Sequence, residues 1–171
     1  MFELEKTEEV ERLILITKSN SGISGPELAK AHIRLGELVG EHIDVDPKET
    51  TVVAVLRGGL FFAQGIYFSL GYRGCRFQLF DPKKEAFVRP DTKNVILADA
   101  VINTGKTIID ILEPDMKVAC CVINENAVPK FADQLYTARV SKNSFVGSNV
   151  KVQSGNKGPD TTMRLFNLPM L

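Results

Sequence analysis

The run TVVAV at 51–55 is apolar or β-branched at every position, not at every second one. A strand with one wet face alternates, whereas a continuous run marks a strand covered on both faces. Four further runs follow at 75–80, 94–99, 117–123 and 135–140, separated by helical segments at 60–70 and 107–112 and a weaker one at 125–132. This alternation predicts an α/β fold with a mostly parallel central sheet, helices on both of its faces and right-handed crossovers. Ligands of such sheets sit beyond the carboxyl ends of the strands.

Before the sheet, Ser24-Gly25-Pro26-Glu27 reads as a helix start, with Ser24 as N-cap and Glu27 closing a capping box. Leu28, Ala31, Leu35, Leu38 and Val39 then form one apolar stripe at helical spacing. His32 and His42 fall on or beside it without a Cys, Asp or Glu partner at a recognisable spacing, which reads as packed or surface histidines. The segment DPKKEAFVRPDTK at 81–93 is charged and proline-broken, a loop carrying Lys83, Lys84 and Arg89. The tail at 141–171 is rich in turn formers but ends in LFNLPML, which predicts a folded cap. With 171 residues, one domain is expected, its core at about 44–140 and a small hood at about 141–171 with part of the N-terminus.

Charge and composition exclude several classes. Lys plus Arg and Asp plus Glu both total 21, so no global positive field holds the chain on nucleic acid or an anionic membrane, and neither partner is expected. No apolar run approaches the ~20 residues of a bilayer span, and MFELEKTEEVE lacks the basic start and apolar middle of a secretory signal. A cytoplasmic protein is the expectation. Cys75, Cys120 and Cys121 lie in apolar runs without metal-ligand spacing and read as reduced core residues.

Two strand-to-loop junctions carry the chemistry. At the first, Val55-Leu56-Arg57-Gly58-Gly59-Leu60, two glycines between a strand and a helix let backbone N–H groups approach an anion. The same residues also suit a plain tight turn with Arg57 in solvent. The second junction, ADAVINTGKT at 98–107, ends like a triphosphate-binding loop. Such a loop needs a glycine five residues before Gly105, and Ala100 stands there behind the acidic Asp99. What remains is a cradle of backbone N–H groups and hydroxyls from Thr104 and Thr107, sized for one phosphate, beside a carboxylate suited to sugar hydroxyls or magnesium.

With that pairing in place, VILADAVINTGKT at 95–107 resembles the phosphoribosyl pyrophosphate motif of type I phosphoribosyltransferases, and Arg57-Gly58-Gly59 resembles their pyrophosphate loop. Leu135-Tyr136-Thr137-Ala138-Arg139-Val140, followed by Pro159-Asp160-Thr161-Thr162-Met163-Arg164-Leu165-Phe166, resembles the Tyr-Thr-Ala strand and base-binding hood of the uracil phosphoribosyltransferase branch. The helix with Leu35-Gly36-Glu37-Leu38 is similar to that branch's N-terminal helix. Several positions depart from the pattern. Ala100 replaces the second acidic residue of many type I enzymes, as uracil enzymes also do, and Asn103 replaces the Asp of purine-salvage relatives. Thr162 and Met163 replace a Gly and an Asp of the uracil hood, and the stretch from Ile43 to Thr51 leaves no room for the dimerising β-arm of uracil enzymes.

The resemblance implies a type I phosphoribosyltransferase fold and displacement of pyrophosphate from 5-phosphoribosyl 1-pyrophosphate by a nucleobase, with uracil the expected base and Mg2+ the expected cofactor. Thr104, Gly105, Lys106 and Thr107, flanked by Ala100 and Asn103, would hold the 5-phosphate. Asp99 would face the ribose and hold any metal contact, while Arg57, Gly58 and Gly59 would hold the pyrophosphate. Lys83, Lys84 and Arg89 would sit either on a lid over the leaving group or on a plain solvated loop. Backbone around Tyr136, Thr137 and Ala138, and from Pro159 through Asp160 and Thr161 to Thr162, would meet the base. A homodimer is expected. Transfer to another base, or binding of 5-phosphoribosyl 1-pyrophosphate without turnover, are the competing readings.

Overall fold

The structure is a computed structural model that describes residues 1–71 and 74–170. Its strands are β1 (Phe2–Glu3), β2 (Thr50–Val55), β3 (Arg76–Phe80), β4 (Asn94–Ile102), β5 (Lys117–Asn124) and β6 (Leu135–Ser141). They form one sheet in the order β1-β6-β5-β4-β2-β3, parallel at every pairing. Every residue of β2 is buried, as its unbroken apolar run requires. The main difference from the sequence reading lies in β4, which continues past Asp99 to Ile102 and carries Asp99 and Ala100 inside the strand.

Helices α1 (Glu8–Thr17), α2 (Gly25–Gly40) and α3 (Leu60–Leu70) cover one face. Leu35, Val39, Phe62 and Ile66 pack there on Val52, Ala54, Ile96 and Ala98. Each such fully buried large side chain contributes about 1.5–3 kcal/mol. On the other face, the short α4 (Lys106–Ile109) and a 3-10 helical stretch at Glu125–Lys130 cover Val53, Leu97, Val118 and Ile123, with Phe131 completely buried among them. The expected helix at 107–112 is thus a single turn followed by irregular chain that leads to Pro114. Helices occupy both faces because the chain turns one way from β2 to β3 and the other way to β4, and right-handed crossovers on opposite sides of β2 fall on opposite faces.

Helix α1 was not expected from the sequence. Thr7 caps it by accepting from the Val10 amide at 3.3 Å, and Val10, Leu13, Ile14 and Thr17 make its buried stripe. The capping box expected at Ser24 does not form. The Ser24 hydroxyl instead donates to Asn167 Oδ1 at 3.2 Å, because the C-terminal tail packs over this helix start.

Residues after β6 form the hood: β7 (Val146–Ser148) and β8 (Lys157–Pro159) pair in parallel, and α5 (Thr161–Leu165) follows. Leu165 and Phe166 join Leu28, Ala29 and Phe61 in a small apolar cluster, with Phe61 and Phe166 ring centres 5.3 Å apart. Beneath them Arg164 is almost wholly buried and donates to the carbonyl oxygens of Ile16, Thr17 and Ile23 and to Ser21 Oγ. Two of those carbonyls end α1, where a cation and a donor are both favourable. Arg164 therefore fastens the hood to the helical layer.

Candidate active site

The order of the strands places a crevice between β2 and β4, the point where the topology changes direction. A cleft of about 460 Å³ opens there, between the carboxyl ends of β2, β4, β5 and β6 and the underside of the hood. Its rim near β2 is the glycine turn. Gly58 lines the cleft, and a side chain built on it would lie 3.7 Å from Asp99 Oδ1 and 3.2 Å from Thr162 Oγ1, so turn, carboxylate and hood meet at one place. Gly59 admits nothing larger, since a Cβ there would stand 2.5 Å from the Ala98 carbonyl oxygen. Arg57 is exposed and does not line the cleft, although Leu56 and Gly58 on either side of it do.

The floor is β4. Asp99 and Ala100 line it, followed by Asn103 and Thr107 from the loop into α4. Gly105 turns that loop with φ +78°, and a side chain there would meet the buried ring of Phe131 at 2.7 Å. Lys130 Nζ ties the loop down by donating to the Thr104 carbonyl at 2.8 Å. Thr104, Gly105 and Lys106 lie in the loop but not on the cleft wall, and Lys106 turns its ammonium to Asp110 at 3.0 Å. Asp99 Oδ1 accepts from the Ala100 amide at 2.7 Å. Enclosure by the strand ends nonetheless dominates and lifts its pKa to about 7, with the Ala100 and Val101 amides only partly opposing the rise, while some of its surface still reaches the open cleft.

The hood contributes Gly147, Gly158, Pro159, Asp160, Thr161 and Thr162. Asp160 also caps α5 by accepting from the Met163 amide at 2.9 Å. Among the loop cations, Lys83 lines the cleft, Lys84 pairs with Asp81 at 3.4 Å and Arg89 does not reach it. The Arg89 guanidinium bridges Glu113 and Asp115, two carboxylates beyond α4, which fits the solvated-loop alternative. Tyr136, Thr137 and Ala138 are not among the residues that line the cleft. They lie inside β6, where Tyr136 packs on Phe2, Thr137 bonds Cys120 Sγ and Ala138 belongs to the helix-side core.

What β6 gives the cleft is the end of the strand, Arg139 and Ser141. The cleft is also lined by Thr17, Ser19, His32, Cys121 and Asn124, none of which the sequence reading placed in a site, and the Arg139 charge acts on both His32 and Cys121. His32 is 1% exposed. Burial holds its pKa down at about 4 against the pull of its Leu28 hydrogen bond, and the charges of Arg164 and Arg139 lower it further. Burial likewise raises the Cys121 thiol to about 11, which keeps it protonated and unreactive.

Among the described residues no three His, Cys, Asp or Glu side chains converge as a metal cage, and no helix is long and apolar enough to cross a membrane. Asp99 and Asp160 are the carboxylates on the cleft, a set that suits magnesium shared with substrate oxygens.

No protein-family model matches the chain, and no curated protein matches it in sequence. Solved structures share its fold. The AQ2163 protein from Aquifex aeolicus is 14% identical, with 81% of this chain and 86% of that one covered at a TM-score of 0.64. A hypoxanthine-guanine-xanthine phosphoribosyltransferase is 17% identical, with 67% of this chain and 74% of that one covered at a TM-score of 0.50. The architecture is the type I phosphoribosyltransferase fold, a mostly parallel sheet between helices.

Proposed function

We infer that the protein is a phosphoribosyltransferase that joins a nucleobase, uracil by the hood resemblance, to 5-phosphoribosyl 1-pyrophosphate with release of pyrophosphate. The observation that carries this reading is the meeting of Gly58, Asp99, Asn103 and Thr107 in a single cleft, because an activated ribose phosphate needs an anion site on each side of a group for its hydroxyls. The fold shared with a phosphoribosyltransferase supports it.

In this reading the N–H groups and hydroxyls of the loop from Thr104 to Thr107 hold the 5-phosphate, and its tie to Lys130 keeps them in place before substrate arrives. Backbone at Gly58 and Gly59 receives the pyrophosphate, with Lys83 and the exposed Arg57 guanidinium free to turn onto its oxygens. Asp99 accepts from the ribose hydroxyls and faces C1, where positive charge develops as the bond to pyrophosphate breaks. Magnesium would be held by Asp99 and substrate oxygens and would neutralise the leaving pyrophosphate. The hood excludes water that would otherwise hydrolyse the sugar.

Magnesium-dependent release of pyrophosphate, measured with a panel of pyrimidine and purine bases, tests this. Release with uracil alone supports the full reading, and release with another base reassigns the base. Binding of 5-phosphoribosyl 1-pyrophosphate without release makes the protein a non-catalytic regulator, and no binding overturns the reading.

A further inference from the structure

The inner end of the cleft contains a guanidinium without an answer. Arg139 Nε is buried and has no hydrogen-bond partner, and no carboxylate pairs with Arg139 among the described residues. Leaving such a donor unmet is costly, so the position implies an acceptor supplied from outside the chain. His32 lines the same cleft with the complementary character. Its Nδ1 lies 2.9 Å from the Leu28 carbonyl oxygen, which can only accept, so Nδ1 carries the proton. The ring is neutral near pH 7, and Nε2 is left with a lone pair. A donor on β6 and an acceptor on α2 thus face one cavity from different layers of the fold. They lie away from the β2 side, where the pyrophosphate turn is, with β5 between β6 and the Asp99 strand. In the phosphoribosyl reading this side is left to the base, since the Gly58 turn and the loop after β4 are taken by the two phosphate groups.

We propose that Arg139 and His32 read the edge of the base: Arg139 donates to a ring carbonyl oxygen and His32 Nε2 accepts from the adjacent ring N–H, so the site selects oxo bases over amino bases. This rests on the phosphoribosyl reading of the cleft and adds its specificity. In the same pose an amino base turns an exocyclic N–H donor toward Arg139 and an unprotonated ring nitrogen toward the His32 lone pair, so donor meets donor and acceptor meets acceptor. The bond is charge-assisted, and the Arg139 Nε that makes it is buried.

Calorimetric titration of the folded protein with ribose 5-phosphate and with two matched pairs, uridine against cytidine and inosine against adenosine 5-monophosphate, tests the proposal. Within each pair the two nucleotides differ only at the edge in question. The expected result is at least tenfold tighter binding of the oxo member in the pair that fits. Arg139→Met should erase that preference and leave ribose 5-phosphate binding unchanged, and Arg139→Gln, which keeps one donor, should retain part of it. Equal binding within both pairs overturns the proposal, as does a preference that survives Arg139→Met. Equal weakening of ribose 5-phosphate by Arg139→Met also overturns it, since Arg139 would then hold phosphate. Failure of the unaltered protein to bind ribose 5-phosphate overturns the phosphoribosyl reading itself, and this one with it.

Discussion

Arg164 and Arg139 are both drawn out of bulk water, one under the hood and one at the inner end of the cleft, and the chain surrounds them differently. Every part of the Arg164 guanidinium meets an oxygen, from Ile16, Thr17, Ile23 or Ser21. Arg139 keeps a buried Nε with no partner. The first arrangement is complete without a ligand and holds two layers together. The second is incomplete in the same chain, and buried polar groups left open in that way mark the places where a ligand finishes the structure. Asp99 belongs with Arg139 in this respect, because the fold encloses a carboxylate and gives it backbone amides, and among the described residues no salt bridge to it forms.

Substitutions should therefore have opposite signs in the two regions. Arg164→Met should have the largest effect, lowering stability by about 3 kcal/mol or more in urea unfolding, because it strands the carbonyls that end α1 and loosens the hood. Gly105→Ala should cost about 2 kcal/mol, since it combines a left-handed backbone with a clash against Phe131. Phosphate binding should weaken with it.

Asp99→Asn should do the reverse for stability while reducing turnover at least ~100-fold. With a folded pKa near 7 against a reference value of 3.8, the native state keeps a proton that the unfolded chain has lost, so stability falls as pH rises through that window. The Asn variant should be more stable than the parent by about 1–2 kcal/mol at about pH 8, a discounted figure because part of the carboxylate faces the cleft. It should show no gain at about pH 3, and melting curves across pH check this. Arg139→Met should have the smallest effect, a change within about 1 kcal/mol and in the stabilising direction. A loss there as large as that of Arg164→Met would break the contrast.

Much of this could be read in the chain itself, for identifiable reasons. Strands β2, β4, β5 and β6 are buried on one or both faces and announce themselves in composition. Helix α1 carried a readable stripe at Val10, Leu13, Ile14 and Thr17, behind a Thr7 cap, that the reading of the N-terminus passed over. Strand β1 has only two residues and forms because Phe2 and Glu3 pair with Tyr136 and Thr137, which no local pattern encodes. The site divides in the same way. Gly58, Asp99, Asn103 and Thr107 are contiguous with two loops and were visible there. Arg139 and His32 meet only after β6 and α2 are packed, and His32 looks like any histidine on a buried stripe. The partners of Arg89 were not legible, because Glu113 and Asp115 lie far along the chain.

The central claim is that one cleft binds an activated ribose phosphate between the Gly58 turn and the Gly105 loop. Calorimetric titration of 5-phosphoribosyl 1-pyrophosphate into the protein in magnesium buffer tests it most directly. The account expects saturable binding at one molecule per chain, displaced by ribose 5-phosphate and weakened by Gly105→Ala. Absence of binding, or binding that ribose 5-phosphate does not displace, would contradict it.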